Sequence, residues 1–189
     1  MLQTISMPTM LMIGGSGRNV GKTTLICSII SKFSATIPII GLKVTSIRPG
    51  EAGSHGYHET PVQENFKISE EFGLDNRKDT TRMLKAGAKK VYFIQSRDDQ
   101  LPLAMESFFE IEDRNSIIIC ETRSLRNLIK PGIFILITDL SRGNPKTNFA
   151  DFVKSADLLL EFDPLRCTLE TNADKICLET GRWYLSDKK

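Results

Sequence analysis

Residues 10–24 carry the clearest chemical signal in the chain. An apolar run, Met10–Ile13, leads into a glycine-rich turn that ends in Gly21-Lys22-Thr23, where a helix is expected to begin. Successive backbone N–H groups in such a turn bind phosphate oxygens, and the helix N-terminus adds partial positive charge. The pattern predicts a phosphate-binding P-loop, in which Lys22 contacts the β- and γ-phosphates and the Thr23 hydroxyl binds Mg²⁺. The residues predicted to bind a nucleotide are Gly15, Gly17, Arg18, Asn19, Val20, Gly21, Lys22, Thr23 and Thr24.

One position of this loop departs from the strict P-loop pattern. The pattern has glycine five residues before Gly21, and this chain has Ser16 there. Gly15 and Gly17 flank the serine and keep the backbone free to adopt positive φ. The alternative is an ordinary strand-to-helix turn with an exposed lysine. The apolar residues on both sides of the loop favour the P-loop, counted from Gly15.

Two acidic residues are candidates to complete a magnesium site. Glu121 follows the apolar run 116–120, and Asp139 follows the run 133–138. An acid at the end of a buried strand beside a P-loop holds the magnesium shell, although either residue could instead cap a turn. We predict Glu121, because its strand is the more uniformly apolar. Lys22 and Glu121 are then the predicted catalytic residues, and Thr23 and Glu121 the predicted metal ligands.

Further polar residues could bind a second substrate. Lys43 ends an apolar segment, where it would either bring another cation to the phosphates or extend along the surface into solvent. His55 and His58 lie beside Glu59 and could hold a transition metal, contact a substrate, or be ordinary polar loop residues. The predicted substrate residues are Lys43, His55, His58, Asp79 and Arg82. The guanine-selective Asn-Lys-x-Asp pattern is absent, so GTP and ATP both stay open.

Alternating strands and helices position these residues. Strands are predicted at 10–13, 38–44, 91–94, 116–120, 133–137, 157–162 and near 183–185, and helices at 22–33, 79–86, 101–109 and 149–154. Asp79 is expected to cap the second helix. Residues 46–64 lack periodicity and are expected to form a long loop. This order predicts a three-layer, doubly wound α/β fold with a mostly parallel sheet, in one domain of 189 residues.

Composition excludes several other classes of protein. A net charge of +2 provides no basic field for nucleic acid. No apolar run approaches the ~20 residues that span a bilayer, and no secretory signal precedes the first strand. The four cysteines are far apart in the sequence, which suits free thiols in a reducing cytoplasm. We therefore expect a cytoplasmic protein that binds neither nucleic acid nor membranes.

Residues 10–140 resemble the molybdopterin-guanine dinucleotide biosynthesis protein B family. The resemblance lies in the P-loop, in Gly41-Leu42-Lys43-Val44, and in the segment 78–88, Lys-Asp-Thr-x-Arg-x-x-x-Ala-Gly-Ala. It implies a P-loop GTPase-type protein, often a homodimer, with weak intrinsic hydrolysis. Such a protein helps a partner enzyme to attach a guanine nucleotide to molybdopterin. The loop is also similar in spacing to that of dethiobiotin synthetase, within the same broader class of P-loop proteins.

Three functions follow as hypotheses. The first is an accessory GTPase of molybdenum cofactor maturation. The second is an ATP-dependent small-molecule kinase or ligase, in which Lys43, Asp79 and Arg82 position a small acidic substrate. The third is a metallochaperone-like GTPase that delivers a metal through His55 and His58. All three require Mg²⁺ and either GTP or ATP.

Overall fold

The computed structural model describes residues 4–47, 66–73, 75, 77–139, 149–163 and 169–186. His55, His58 and most of the predicted 46–64 loop lie outside the described residues. The strands are β1 (Ile5–Gly15), β2 (Ile39–Ser46), β3 (Phe66–Glu70), β4 (Lys90–Ser96), β5 (Ile117–Glu121), β6 (Ile129–Thr138), β7 (Leu158–Glu161), β8 (Ile176–Glu179) and β9 (Arg182–Leu185). The helices are α1 (Lys22–Phe33), α2 (Asp79–Lys85), α3 (Leu101–Ile111) and α4 (Phe149–Lys154).

Seven of these strands form one sheet in the order β3-β4-β2-β5-β1-β6-β7. Strand β3 runs antiparallel to β4, and the other neighbouring pairs are parallel. The prediction of an α/β fold with a mostly parallel sheet is therefore confirmed. Within the described ranges, none of the helices has the length and apolar composition needed to cross a membrane.

The sheet is covered on both faces because its central strands are apolar on both sides. In β1, Leu11 and Ile13 pack into one buried cluster with α1 and α2. Met10 and Met12 alternate with them and pack into a second cluster with α3 and α4. The resulting layers hold the strands in a fixed register, so residues at their carboxyl ends have fixed neighbours.

That register brings the predicted site residues to one edge of the sheet. Ile13 of β1 pairs with Glu121 of β5, and Glu121 also pairs with Lys43 of β2. On the other side of β1, Gly15 pairs with Ile137 of β6. The glycine-rich loop therefore leaves β1 beside the carboxyl ends of β5 and β6, the edge where α/β proteins bind ligands.

Two elements differ from the sequence prediction. The short edge strand β3 was not predicted, because the alternation of Phe66 and Ile68 with polar residues extends over only five residues. The chain also ends in a separate hairpin, β8–β9, rather than in a last strand of the main sheet. Thr180 and Gly181 both have positive φ (49° and 75°), which is the backbone of a type I′ hairpin turn. Trp183 anchors this hairpin by donating its indole N–H to the Thr9 carbonyl at 2.9 Å.

Candidate functional site

The glycine-rich loop joins β1 to α1 through a backbone that its sequence makes possible. Gly21 has φ +81° and Asn19 has φ +58°, both in the left-handed region. At Gly15 a Cβ atom would lie 2.7 Å from Val20 Cγ2, so the loop closes tightly only with glycine there. The Ser16 backbone N–H donates to the Ile137 carbonyl at 2.8 Å, which fixes the start of the loop to β6.

The predicted nucleotide-binding residues differ in exposure along this loop. Arg18 and Asn19 are exposed, whereas the Val20 side chain is buried. Val20 therefore offers a ligand only its backbone. At Gly17 a Cβ atom would meet no described atom within 4 Å, so the loop is open on that side.

Lys22 begins α1 and folds back over the loop. Its Nζ donates to the Gly17 carbonyl at 2.9 Å and lies 4.0 Å from Glu121 Oε1. Burial lowers the pKa of Lys22 below the usual range of a lysine, and the nearby Glu121 carboxylate offsets part of that effect. The ammonium group is thus partly desolvated, and its bond to the Gly17 carbonyl is one that a phosphate oxygen could replace.

Thr23 and Glu121, the two predicted metal ligands, are in direct contact. The Thr23 hydroxyl donates to Glu121 Oε2 at 2.9 Å in a buried setting. Asp139, the alternative acid, lies at the end of β6, where its backbone N–H donates to Ser16 Oγ at 3.1 Å. Both acids are buried, and the hydrogen bond described for the Thr23 hydroxyl goes to Glu121. The geometry therefore favours Glu121 over Asp139 as the partner of Thr23.

Lys43, Asp79 and Arg82 extend this arrangement toward α2. Lys43 Nζ donates to Asp79 Oδ2 and lies 3.9 Å from Glu121 Oε1. Arg82 Nη1 lies 3.7 Å from Asp79 Oδ1, and Arg82 Nη2 donates to the Thr24 hydroxyl at 3.2 Å. These contacts connect the start of α2 to the start of α1, so the predicted substrate residues and the loop form one continuous polar network.

Asp79 does not cap α2, contrary to the sequence prediction. Lys78 occupies the N-cap position, and Asp79 is the first residue of the helix. Its carboxylate turns toward Lys43 instead. Burial alone would raise the pKa of Asp79, but the hydrogen bond and charge of Lys43, together with a contact from Thr23, lower it further than burial raises it. Asp79 is therefore an ionised member of the site.

The charges of this network favour binding of a polyanion together with a divalent cation. Lys22, Lys43 and Arg82 supply three positive charges, against two negative charges from Glu121 and Asp79. The surplus of one positive charge sits beside a helix N-terminus and a turn of backbone N–H groups, which favour phosphate. Hydroxyl and carboxylate oxygens are also the ligands that Mg²⁺ prefers.

Sequence reasoning missed two residues of this region. Ser16 is more than a substituted glycine, because its hydroxyl accepts the Asp139 backbone N–H and joins the loop to β6. Arg123 follows Glu121 by two residues, with its guanidinium 5.2 Å from the Phe152 ring and its charge acting on Lys22. The position of Arg123 just beyond the predicted strand end was the available signal.

Within the described part of the chain, no group of three or more His, Cys, Asp or Glu side chains could hold a metal ion by itself. A cation at this edge of the sheet would need further oxygen atoms, supplied by water or by the molecule that binds together with the cation. Comparisons of the chain with protein-family models, curated proteins and solved structures give no match.

Proposed function

We propose that the chain binds a magnesium nucleoside triphosphate at the loop Gly15–Thr24 and transfers or hydrolyses its terminal phosphoryl group. The observation that carries the proposal is the buried contact between Thr23 and Glu121, with the Lys22 and Lys43 ammonium groups 4.0 Å and 3.9 Å from the same carboxylate. Hydroxyl, carboxylate and two cations at the end of a glycine-rich loop are what phosphoryl transfer requires.

The side chains divide into two tasks. Thr23 and Glu121 would hold Mg²⁺, which supplies charge neutralisation at the phosphate oxygens. Lys22 would exchange its bond to the Gly17 carbonyl for one to the phosphates, while the loop N–H groups and the start of α1 bind the remaining oxygens. Catalysis of this kind is positioning and electrostatic stabilisation, since little covalent chemistry is left to the protein.

One observation favours a small-molecule kinase or ligase as a second candidate. Lys43 lies beside Glu121, where the terminal phosphoryl group would be held, and its contact with Asp79 leads on to Arg82. Two cations around one carboxylate could bind a small acidic substrate if Asp79 releases one of them. The accessory GTPase role in molybdenum cofactor maturation depends on the resemblance of residues 10–140 and stays a prediction.

Calorimetric titration with Mg-ATP and Mg-GTP tests the proposal. The wild type should bind at least one of them, and Lys22→Ala should weaken binding about 100-fold or more, as removal of one partner of a desolvated charged contact does. Lys130→Ala is the matched control, because Lys130 is an exposed lysine on β6. Its affinity should equal that of the wild type.

The outcomes separate the candidate functions. Preference for GTP would support the accessory GTPase, and preference for ATP the kinase or ligase. Binding of neither nucleotide by the wild type, or undiminished binding by Lys22→Ala, would contradict the proposal.

A further inference from the structure

The order of strands determines on which side of the loop a nucleoside can lie. The ends of β5, β1, β6 and β7 follow one another along the sheet edge. Glu121 ends β5, and the proposed function puts the terminal phosphates there. On the β2 side of Glu121 the space is occupied by the charged pair Lys43 and Asp79. The nucleoside must therefore extend the other way, past β6 toward β7.

The distance along this edge is compatible with a nucleotide. From β5 to β7 are three strand spacings, about 14 Å at ~4.8 Å each. An extended nucleoside triphosphate covers a comparable length from its terminal phosphate to its base. A group that receives the base should therefore lie near the end of β7.

An aromatic side chain lies at that point. Phe162 follows β7 directly, and its backbone N–H donates to the Thr138 carbonyl at 2.7 Å. The half-buried Phe162 ring borders the last glycine of the loop: a Cβ atom at Gly21 would lie 3.2 Å from its Cδ2 and 2.3 Å from Leu169 Cδ1. The strand end fixes the backbone of Phe162, and the loop fixes one side of its ring.

We propose that the Phe162 ring is the stacking platform for the base of the bound nucleotide, an inference that rests on the proposed function. Every base has a π-face, so a flat ring binds bases without reading their hydrogen-bonding groups. Purines offer more ring area than pyrimidines, so the chain should bind ATP and GTP more tightly than CTP. This mode of binding is consistent with the absence of the Asn-Lys-x-Asp pattern.

The test compares nucleotides with a ligand that has phosphates and no base. Phe162→Leu keeps apolar volume against Gly21 and removes the flat ring, whereas Phe162→Trp keeps a flat ring. Calorimetry would use Mg-ATP, Mg-GTP, Mg-CTP and magnesium tripolyphosphate. Phe162→Leu should lose about 10-fold in affinity for ATP and GTP, the scale of one lost stacking contact. Its affinity for tripolyphosphate should be unchanged, and Phe162→Trp should bind all four ligands as the wild type does.

Leu169→Ala is the control for loop packing, because Leu169 contacts the same glycine without an aromatic ring. Any effect of this variant should be equal for ATP and tripolyphosphate. Equal losses for both ligands in Phe162→Leu, or unchanged ATP binding, would overturn the inference. If the wild type binds tripolyphosphate as tightly as ATP, the result would support the phosphate site and contradict stacking of the base on Phe162. If it binds none of the four ligands, the proposed function itself fails.

Discussion

Two carboxylates with largely covered side chains, those of Glu121 and Glu112, are surrounded by similar groups in different geometry. Glu112 Oε1 accepts hydrogen bonds from Lys90 Nζ at 2.7 Å and from the Tyr92 hydroxyl at 2.6 Å. Glu121 accepts the Thr23 hydroxyl at 2.9 Å, but its two lysines stand 3.9 Å and 4.0 Å away. The side chains of the two glutamates are about equally exposed, 11% and 8%. Geometry therefore distinguishes them, and burial does not.

Glu112, Lys90 and Tyr92 together form a structural clamp. Burial alone would raise the pKa of Glu112, but the bonds from Lys90 and Tyr92 lower it more. Burial and the adjacent Glu112 raise the pKa of Tyr92 to about 12. Each group thus remains in the protonation state that keeps the bonds intact, and the clamp ties the start of β4 to the end of α3.

The lysines near Glu121 are instead engaged elsewhere. Lys22 donates to the Gly17 carbonyl, and Lys43 donates to Asp79. Glu121 is left with cations close enough to offset its charge and too distant to bond directly. An arrangement of this kind can admit another cation between its members, which a closed ion pair cannot do without breaking. The comparison shows that glutamates of similar side-chain exposure can differ in whether the nearby lysines are bonded to them, as at Glu112, or to other groups, as at Glu121.

The largest expected effect follows from removing the negative charge of Glu121. Glu121→Gln should lower magnesium-dependent nucleotide turnover about 100-fold, the loss typical of one preorganised electrostatic group. Its unfolding temperature should change little, since glutamine still accepts the Thr23 hydroxyl. Glu112→Gln is the matched control and should keep wild-type turnover. Phosphate release at several magnesium concentrations measures both variants, and wild-type turnover in Glu121→Gln would make Asp139 the candidate metal ligand.

Sequence patterns predicted most of the framework of this site. Helix α1 at 22–33 and helix α4 at 149–154 have the predicted bounds, because apolar periodicity determines both. The carboxyl ends of parallel strands meet at one edge, so the sequence alone predicts that Lys43 and Glu121 lie near the loop. The roles of these residues in function stay predictions.

Other features depended on tertiary contacts that local sequence does not reveal. Asp79 was expected to cap α2, yet Lys43 on a neighbouring strand binds its carboxylate. Strand β3 forms by pairing with β4, and its own alternation of five residues is too short to predict a strand. The position of Phe162 beside Gly21 depends on where β7 joins the sheet, which no local motif encodes.

Weakening the clamp formed by Glu112, Lys90 and Tyr92 should lower stability and leave turnover unchanged. Tyr92→Phe removes one partly buried hydrogen bond to Glu112 and leaves the bond from Lys90. We expect the free energy of unfolding to fall by about 1 kcal/mol, the usual net contribution of such a bond. Urea denaturation measures that change, and nucleotide turnover serves as the second readout. A fall in turnover at unchanged stability would show that the two regions are not separate.

The smallest expected effect is the uptake of part of a proton by Lys22 when a nucleotide binds. In the free protein, burial lowers the pKa of Lys22. A bound polyphosphate would raise this pKa, because its negative charge favours the ammonium form. Affinity is then full below the pKa of the free protein and falls as the pH rises through it, until the pKa of the complex is reached. Calorimetry at a series of pH values up to the usual pKa of a lysine, in two buffers of different ionisation enthalpy, should show uptake of a fraction of a proton where free Lys22 titrates. Lys22→Arg should abolish this uptake, since arginine stays charged throughout this range; equal uptake in both proteins would place the proton on another group.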